Sequence, residues 1–580
     1  MLLHTTLSSL VTALALASTA TAAPSSGSAA SASSSSSSSA PVVDLGKYGK
    51  YKGTVQNNGT VHSWKGIPYA APPVGDLRFK APRALPKQNS TIQDVSADFD
   101  GHPTACVQFG TTSFVGVNAS PGQEDCLKLW IWAPAGAKKG DKLPVHVYTH
   151  GGGMQNSQSP NNDFSDWVGQ DKGFIAVNAN YRLGLLANWN SQGSLWEGET
   201  ANVGILDGRF AVDWVKANIA AFGGDPHNIA IAGQSGGGGA IMSQLVLYDG
   251  KKPNYHKAIA RSIQNYAAYK TEELTPRNDA FAASVNCTDS ATTKEGAKKQ
   301  LACMRQVPAE TIRLAALEFS RTRQENGFSW PGWLPSVDGK TITDQPIRLL
   351  NENKIAKVPV LTGHPTNDQS GLNPHPNANF TALVSGSAGN IAPKLLDEFA
   401  RIYPAPSVNA SVNTNTYTDT DARGWDFGSD YSFRSASVAV AKAAVRRKQP
   451  SYYFRFDAPN LFPAYPAYYG AAHSADNSYL QNATSTMNAT EEAVALEWRA
   501  FVSSFLKHND PNVERLDSSV DWQQASTSFR YLPRLVVAQQ LAASANLSLP
   551  TSTWVENTPS NEYDKLAFLN SEEVISQTRQ

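Results

Sequence analysis

The stretch Asn228–Met242 restricts this chain more tightly than any other: Asn-Ile-Ala-Ile-Ala-Gly-Gln-Ser-Gly-Gly-Gly-Gly-Ala-Ile-Met. Ile229–Ala232 is a short apolar, partly β-branched run that reads as a buried strand. Gly233-Gln234-Ser235-Gly236-Gly237 then fits G-x-S-x-G, and an apolar pattern with few breakers follows to about Leu247, as a helix would. Strand, glycine-flanked serine and helix together make a nucleophile elbow. Its tight turn strains and exposes the serine, and small neighbours let other segments pass close by. The helix N-terminus behind the serine favours negative charge. A flexible glycine-rich loop is the alternative, and the strand–turn–helix setting argues against it.

The segments before the elbow supply its context. Leu127–Trp132 and Leu143–Tyr148 read as strands, and the second runs into His150-Gly151-Gly152-Gly153-Met154. Glycines directly after a strand leave backbone N–H groups free to converge, which is the HGGG-type oxyanion pattern. Phe174–Asn180 reads as a further buried strand, and Asn202–Ala221 carries apolar residues at helical spacing. This alternation predicts an α/β fold with a mainly parallel sheet covered by helices on both faces. Chemistry in such sheets sits at the carboxyl ends of the strands, where Ser235 and His150–Gly153 both fall.

Beyond the elbow, residues 255–353 read as helical and irregular, Val358–Thr362 as a short strand, and residues 374–425 as mostly loops. Tyr431–Arg446 and Glu492–His508 read as helices, and Ser451–Asp457 as a strand followed by an aromatic loop, Phe462–Tyr469.

Other features point to export. Residues 1–22 have a secretory signal's apolar run and an Ala20-Thr21-Ala22 cleavage pattern, although the first residues lack Lys and Arg. The run is too short to span a membrane. Residues 23–44 form a Ser/Ala-rich linker that cannot bury a core. Candidate glycosylation sequons lie at Asn58, Asn89, Asn118, Asn286, Asn379, Asn409, Asn482, Asn488 and Asn546. The four cysteines, Cys106, Cys126, Cys287 and Cys303, allow three pairings, of which the sequential one closes two short loops. Bridges are favoured over free thiols in an oxidising compartment. A zinc site is the alternative, but there is no C-x-x-C and no nearby His pair, so no metal is expected. The formal charge is zero, so no basic field calls for nucleic acid or an anionic membrane.

A serine hydroxyl needs a base within reach, and the base needs a carboxylate to hold its tautomer. In this kind of arrangement the acid follows the serine and the base follows the acid. Asp368 lies just past the Val358–Thr362 strand, and downstream of it stand only His375, His473 and His508. His375 is too near Asp368 in sequence to come from another strand end. His508 closes a helix, where the dipole favours a cation. His473 follows a strand and a loop and is taken as the base, with Asp368 as the acid. The competing acids Asp344, Asp397, Asp426 and Asp430 read as capping or solvated.

Taken together, these residues resemble the type-B carboxylesterase and lipase family, which includes cholinesterases and fungal lipases. Gly66-Ile67-Pro68-Tyr69-Ala70 with Arg78-Phe79, Glu124-Asp125-Cys126-Leu127, Asn180-Tyr181-Arg182, Phe222-Gly223-Gly224-Asp225-Pro226 and Gly470-Ala471-Ala472-His473 resemble further motifs of that family, in family order. The resemblance implies an α/β-hydrolase fold over one domain, residues 45–575, and cofactor-free ester hydrolysis through an acyl-enzyme. It implies an oxyanion hole from the N–H groups of Gly152, Gly153 and Gly236, and the pairs Cys106–Cys126 and Cys287–Cys303. Three positions depart from the family pattern. Gln234 and Gly236 stand where Glu and Ala flank the serine, and Asp368 stands where Glu is usual. The run Gly236–Gly239 is expected to soften the first helical turn.

The reading is a secreted serine carboxylesterase acting on a small-molecule ester, with short to medium acyl chains favoured because the first cysteine loop is short for a large lid. Its alternatives are an interfacial lipase using the same groups and an inactive adhesion protein on the same fold.

Overall fold

The protein is seen in a computed structural model that describes residues 40–96, 105–109, 121–196, 200–322, 332–370, 372, 379–389, 391–406, 417, 419–462, 469–526, 532–538 and 553–580. Fourteen strands are numbered in chain order: β1 Val42–Asp44, β2 Lys50–Lys52, β3 Thr54–Gln56, β4 Val61–Pro68, β5 Ile92–Asp94, β6 Lys128–Pro134, β7 Leu143–Thr149, β8 Ile175–Ala179, β9 Gly224–Gln234, β10 Lys257–Arg261, β11 Val360–Pro365, β12 Ser451–Phe456, β13 Pro533–Val537 and β14 Thr553–Asn557. Eleven of them form one sheet in the order β14-β13-β12-β11-β10-β9-β7-β8-β6-β4-β3. The strands from β8 across to β13 run parallel. Both margins of the sheet are antiparallel. Strands β1, β2 and β5 make a separate small sheet, and residues Ala40–Gln580 form one compact unit.

Alternation along β9 shows how the sheet is covered. Ile229 and Ile231 join one core with helix residues Val212, Val215, Ile241 and Leu245. Ala230 and Ala232 face the other side, where Trp498, Phe501 and Phe505 of helix Ala489–His508 pack. Small residues on that face of β9 leave room for the aromatics. Full burial of each such large side chain contributes about 1.5–3 kcal/mol. A third core lies under helices Phe380–Ala388, Pro393–Ile402 and Thr420–Ser429.

The fold corrects three expectations. Residues 255–353 contain a buried parallel strand, β10, inserted between β9 and β11. Its charged ends look solvent-seeking in the sequence but are satisfied inside. Lys257 Nζ donates to the carbonyl of Leu506 at 2.6 Å, closing the C-terminus of helix Ala489–His508, and Arg261 pairs with Asp476. Residues 374–425 contain three helices among the described residues. The polar residues that suggest loops are partly caps: Asn379 accepts from the Ala382 N–H and Asp419 from the Ala422 N–H. Asp426 and Asp430 neither cap nor face solvent. Both bind Arg434, and Lys565 closes the cluster. Of the other two competing acids, Asp344 pairs with Arg348 and Asp397 is exposed.

The disulfides Cys106–Cys126 and Cys287–Cys303 are both formed. Asn58, Asn89, Asn286, Asn379 and Asn488 are exposed and Asn482 is half-buried. Asn118, Asn409, Asn546, His375, the leader and linker residues 23–39 lie outside the described residues, as does most of the aromatic loop after Leu461, whereas residues 42–44, expected as linker, form β1 with Val43 buried. No helix among the described residues is long and apolar enough to cross a membrane.

Candidate active site

Five neighbouring parallel strands, β12-β11-β10-β9-β7, deliver the site residues from their carboxyl ends. Strand β9 ends at Gln234, and Ser235 follows with φ 61° and ψ −126°. That backbone is strained for a residue with a side chain and is held from both sides. The Ser235 N–H donates to the Arg261 carbonyl at 3.1 Å, and the Ser235 carbonyl accepts from Gly239 N–H at 2.9 Å and Gln264 N–H at 3.2 Å. Its Oγ makes no hydrogen bond to another described residue.

The glycine run has a different basis from the one expected. Helix Gly236–Val246 is buried along its whole length. A Cβ at Gly237 would lie 2.1 Å from the Thr149 carbonyl oxygen, one at Gly238 2.6 Å from that of Arg261, and one at Gly239 2.7 Å from that of Gln264. The glycines therefore admit the backbone at the ends of β7 and β10, and the helix seats on two strand ends at once. Gly236 sits where a Cβ would be 2.7 Å from the Gly153 nitrogen. The Gly236 N–H, in the first turn, has no intrahelical acceptor. The amides of Gly153 and Gly236 thus lie beside one another next to Ser235. Gly152, at φ 87°, turns the chain, and its carbonyl accepts from Gln155 and Asn156 N–H groups.

Asp368 lies three residues past β11, fully buried, and His473 lies in the segment after β12, also buried. The Nδ1 of His473 and Oδ1 of Asp368 are 2.7 Å apart. With Asp368 ionised, Nδ1 is the donor and Nε2 carries the lone pair. The Gln234 side-chain amide meets that Nε2 at 3.3 Å, so the imidazole stands against the elbow. Phe433 covers the ring, centroids 4.7 Å apart, from a π-helical turn at Asp430–Arg434. Burial pushes the Asp368 carboxyl above its ordinary range, and the His473 imidazole draws it back down. His150 of the glycine pattern is buried against Tyr181, and desolvation lowers it to about 4, so it is neutral at pH 7.

Three contributors escape a reading of the sequence. Arg261 hides in the unrecognised strand β10, Asp476 follows His473 by three residues, and Phe433 sits in a helix whose local widening has no sequence signal. The carboxylate three residues after His473 was the one visible hint.

The motifs outside the elbow serve the scaffold. Arg78 forks onto Glu124 at 2.6 and 2.7 Å, Arg182 onto Asp207 at 2.7 Å, and the Tyr69 hydroxyl donates to the Asn180 carbonyl at 2.7 Å. A carboxylesterase family profile matches residues 39–543. The chain belongs to the carboxylesterase family.

Two curated relatives frame the match. Para-nitrobenzyl esterase of Bacillus subtilis is 31% identical over 434 residues, covering 74% of this chain and 80% of the esterase. Secreted triacylglycerol lipase LIP1 of Gibberella zeae is 32% identical over 330 residues, covering 54% of this chain and 55% of the lipase. The crystal structure of Aspergillus niger EstA shares the fold, with a TM-score of 0.76 at 24% identity, covering 93% of this chain and 99% of that one. As a carboxylesterase on an α/β-hydrolase fold, the protein is a hydrolase of carboxylic esters.

Proposed function

We propose that Ser235, His473 and Asp368 are the nucleophile, base and acid of a secreted carboxylesterase that favours short to medium acyl chains. The hydrogen bond from His473 Nδ1 to Asp368 carries this reading, because it leaves Nε2 as the unprotonated nitrogen on the side of the ring that faces the elbow. Nε2 takes the Ser235 proton as Oγ attacks the ester carbonyl. The oxyanion forms against the amides of Gly152, Gly153 and Gly236, and one such donor is typically worth about 3–4 kcal/mol. The imidazolium then protonates the leaving alcohol, and water releases the acyl group by the same route in reverse. No cofactor enters.

Residues 1–22 act as the export signal and the Ser/Ala-rich stretch after them as a linker, and the catalytic domain begins at β1, Val42–Asp44, rather than at residue 45, and includes helix Glu572–Thr578. The two disulfides and the exposed sequons suit export. The 20-residue separation of Cys106 and Cys126 leaves little chain for a large interfacial lid.

Hydrolysis of nitrophenyl esters from acetyl to palmitoyl tests the reading. Short and medium chains should turn over fastest, without activation at an oil interface, and Ser235→Ala should be inactive. A preference for palmitoyl with interfacial activation would make the protein a lipase. Activity surviving in Ser235→Ala would remove the mechanism.

A further inference from the structure

Strand β10 lies between the strand that carries Ser235 and the strand that leads to Asp368, and it ends in a fully buried arginine. The Arg261 carbonyl accepts the Ser235 N–H at 3.1 Å. Its guanidinium donates to Asp476 Oδ2 at 2.6 Å and to Asn477 Oδ1 at 2.8 Å. Asp476 lies three residues beyond His473, in helix Ala475–Gln481, with no exposed side-chain surface.

We propose that Arg261 is a positioning residue that sets the charge balance behind the base: by neutralising Asp476, it leaves Asp368 as the uncompensated negative charge presented to His473. The role rests on the reading of Ser235, His473 and Asp368 given above.

The surroundings support this. Burial already pushes the Asp368 carboxyl up, and Asp476 pushes in the same direction. A bare carboxylate at residue 476 would therefore compete with Asp368 for ionisation and hold a proton on the imidazole. The remaining titratable neighbours bring no opposing charge. Tyr148 lies with its ring 6.0 Å from the guanidinium and its hydroxyl 3.4 Å from Asn477 Oδ1. His146 is lowered to about 3 by burial and is neutral. Gln234 and Phe433, which touch the imidazole itself, carry no charge. A buried ion pair is often no better for stability than a well-packed apolar pair. Its position beside the acid gives it a use that packing alone would not.

The test is the pH profile of kcat/KM on a short-chain nitrophenyl ester, whose acid limb reports protonation of the base. Arg261→Gln leaves Asp476 unbalanced, so the base keeps its proton to higher pH, and the midpoint should rise by about 0.5–1 unit. Asp476→Asn leaves Arg261 unbalanced and should lower the midpoint by a similar amount. The double variant should return to within about 0.3 unit of wild type, because both charges are then gone. A purely structural role would lower the plateau and the melting temperature with the midpoint unmoved. That result, or shifts of the same sign in both single variants, overturns the proposal. If one single variant does not fold, the sign of the other's shift decides. Ser235→Ala is assayed alongside: activity there would overturn the reading of the nucleophile, whereas a dead Ser235→Ala with unmoved midpoints would overturn the role of Arg261 alone.

Discussion

Asn367 donates its backbone N–H to the carbonyl of Ala471 at 2.9 Å, and an isolated parallel bridge joins Asn367 to Ala472. The residue before Asp368 is thereby fastened to the segment just before His473. The Asn367 side chain adds a second tie, donating from Nδ2 to the Tyr469 carbonyl at 3.1 Å. Asp368 and His473 come from separate strands, yet their loops continue the pairing of β11 with β12 beyond the sheet.

Asn367→Ala removes the side-chain tie and keeps the main-chain one. The acid–base register should loosen without any change in substrate contacts. Steady-state kinetics should show kcat reduced about tenfold with KM nearly constant.

Asp368→Asn should reduce kcat by about 10⁴, since an amide no longer fixes the imidazole tautomer that leaves Nε2 free. Melting temperature should change little in comparison. Full activity in this variant would move the acid elsewhere.

Gly237→Ala brings a Cβ to 2.1 Å from the Thr149 carbonyl oxygen and 2.8 Å from that of His150. Both are backbone atoms of the segment that leads into the oxyanion turn, so neither can swing aside. Urea unfolding should show a loss of about 1–3 kcal/mol or more. Gly339→Ala is the control: its Cβ meets nothing within 4 Å, and only its φ of +68° is strained. It should cost about 1–2 kcal/mol.

His146 is buried among Tyr148, Phe164, Trp167 and Phe174, and desolvation lowers it to about 3. The unfolded chain binds the proton near pH 6.5 and the folded one does not. Its contribution is therefore fully present above that pH and is lost as pH falls toward 3. Relative to wild type, His146→Phe should remove roughly 2–3 kcal/mol of the stability loss between pH 7 and pH 4.5. Melting curves of the two proteins across that window check it.

Much of the scaffold and of the site is legible in the sequence, for reasons that differ by residue. Ser235 is announced by local chemistry, since a strand, a tight turn and a helix must sit together around it. His473 and Asp368 are picked by elimination and chain order, and they meet because parallel strands deliver their loops to one edge. Strand β10 escapes because Lys257 and Arg261 disguise a buried segment, and their partners lie more than two hundred residues away. The helices over 379–429 escape because capping residues and loop residues share a composition. The Asp426–Arg434–Lys565 cluster escapes because nothing local says that a charged side chain will be enclosed.

The seating of helix Gly236–Val246 on the ends of β7 and β10 bears on how this enzyme could be altered. A library randomised at residues 237–239 would spend its diversity on misfolded clones. New acyl selectivity would have to be sought in side chains that overhang the serine from other loops, with this turn left as a constant anvil.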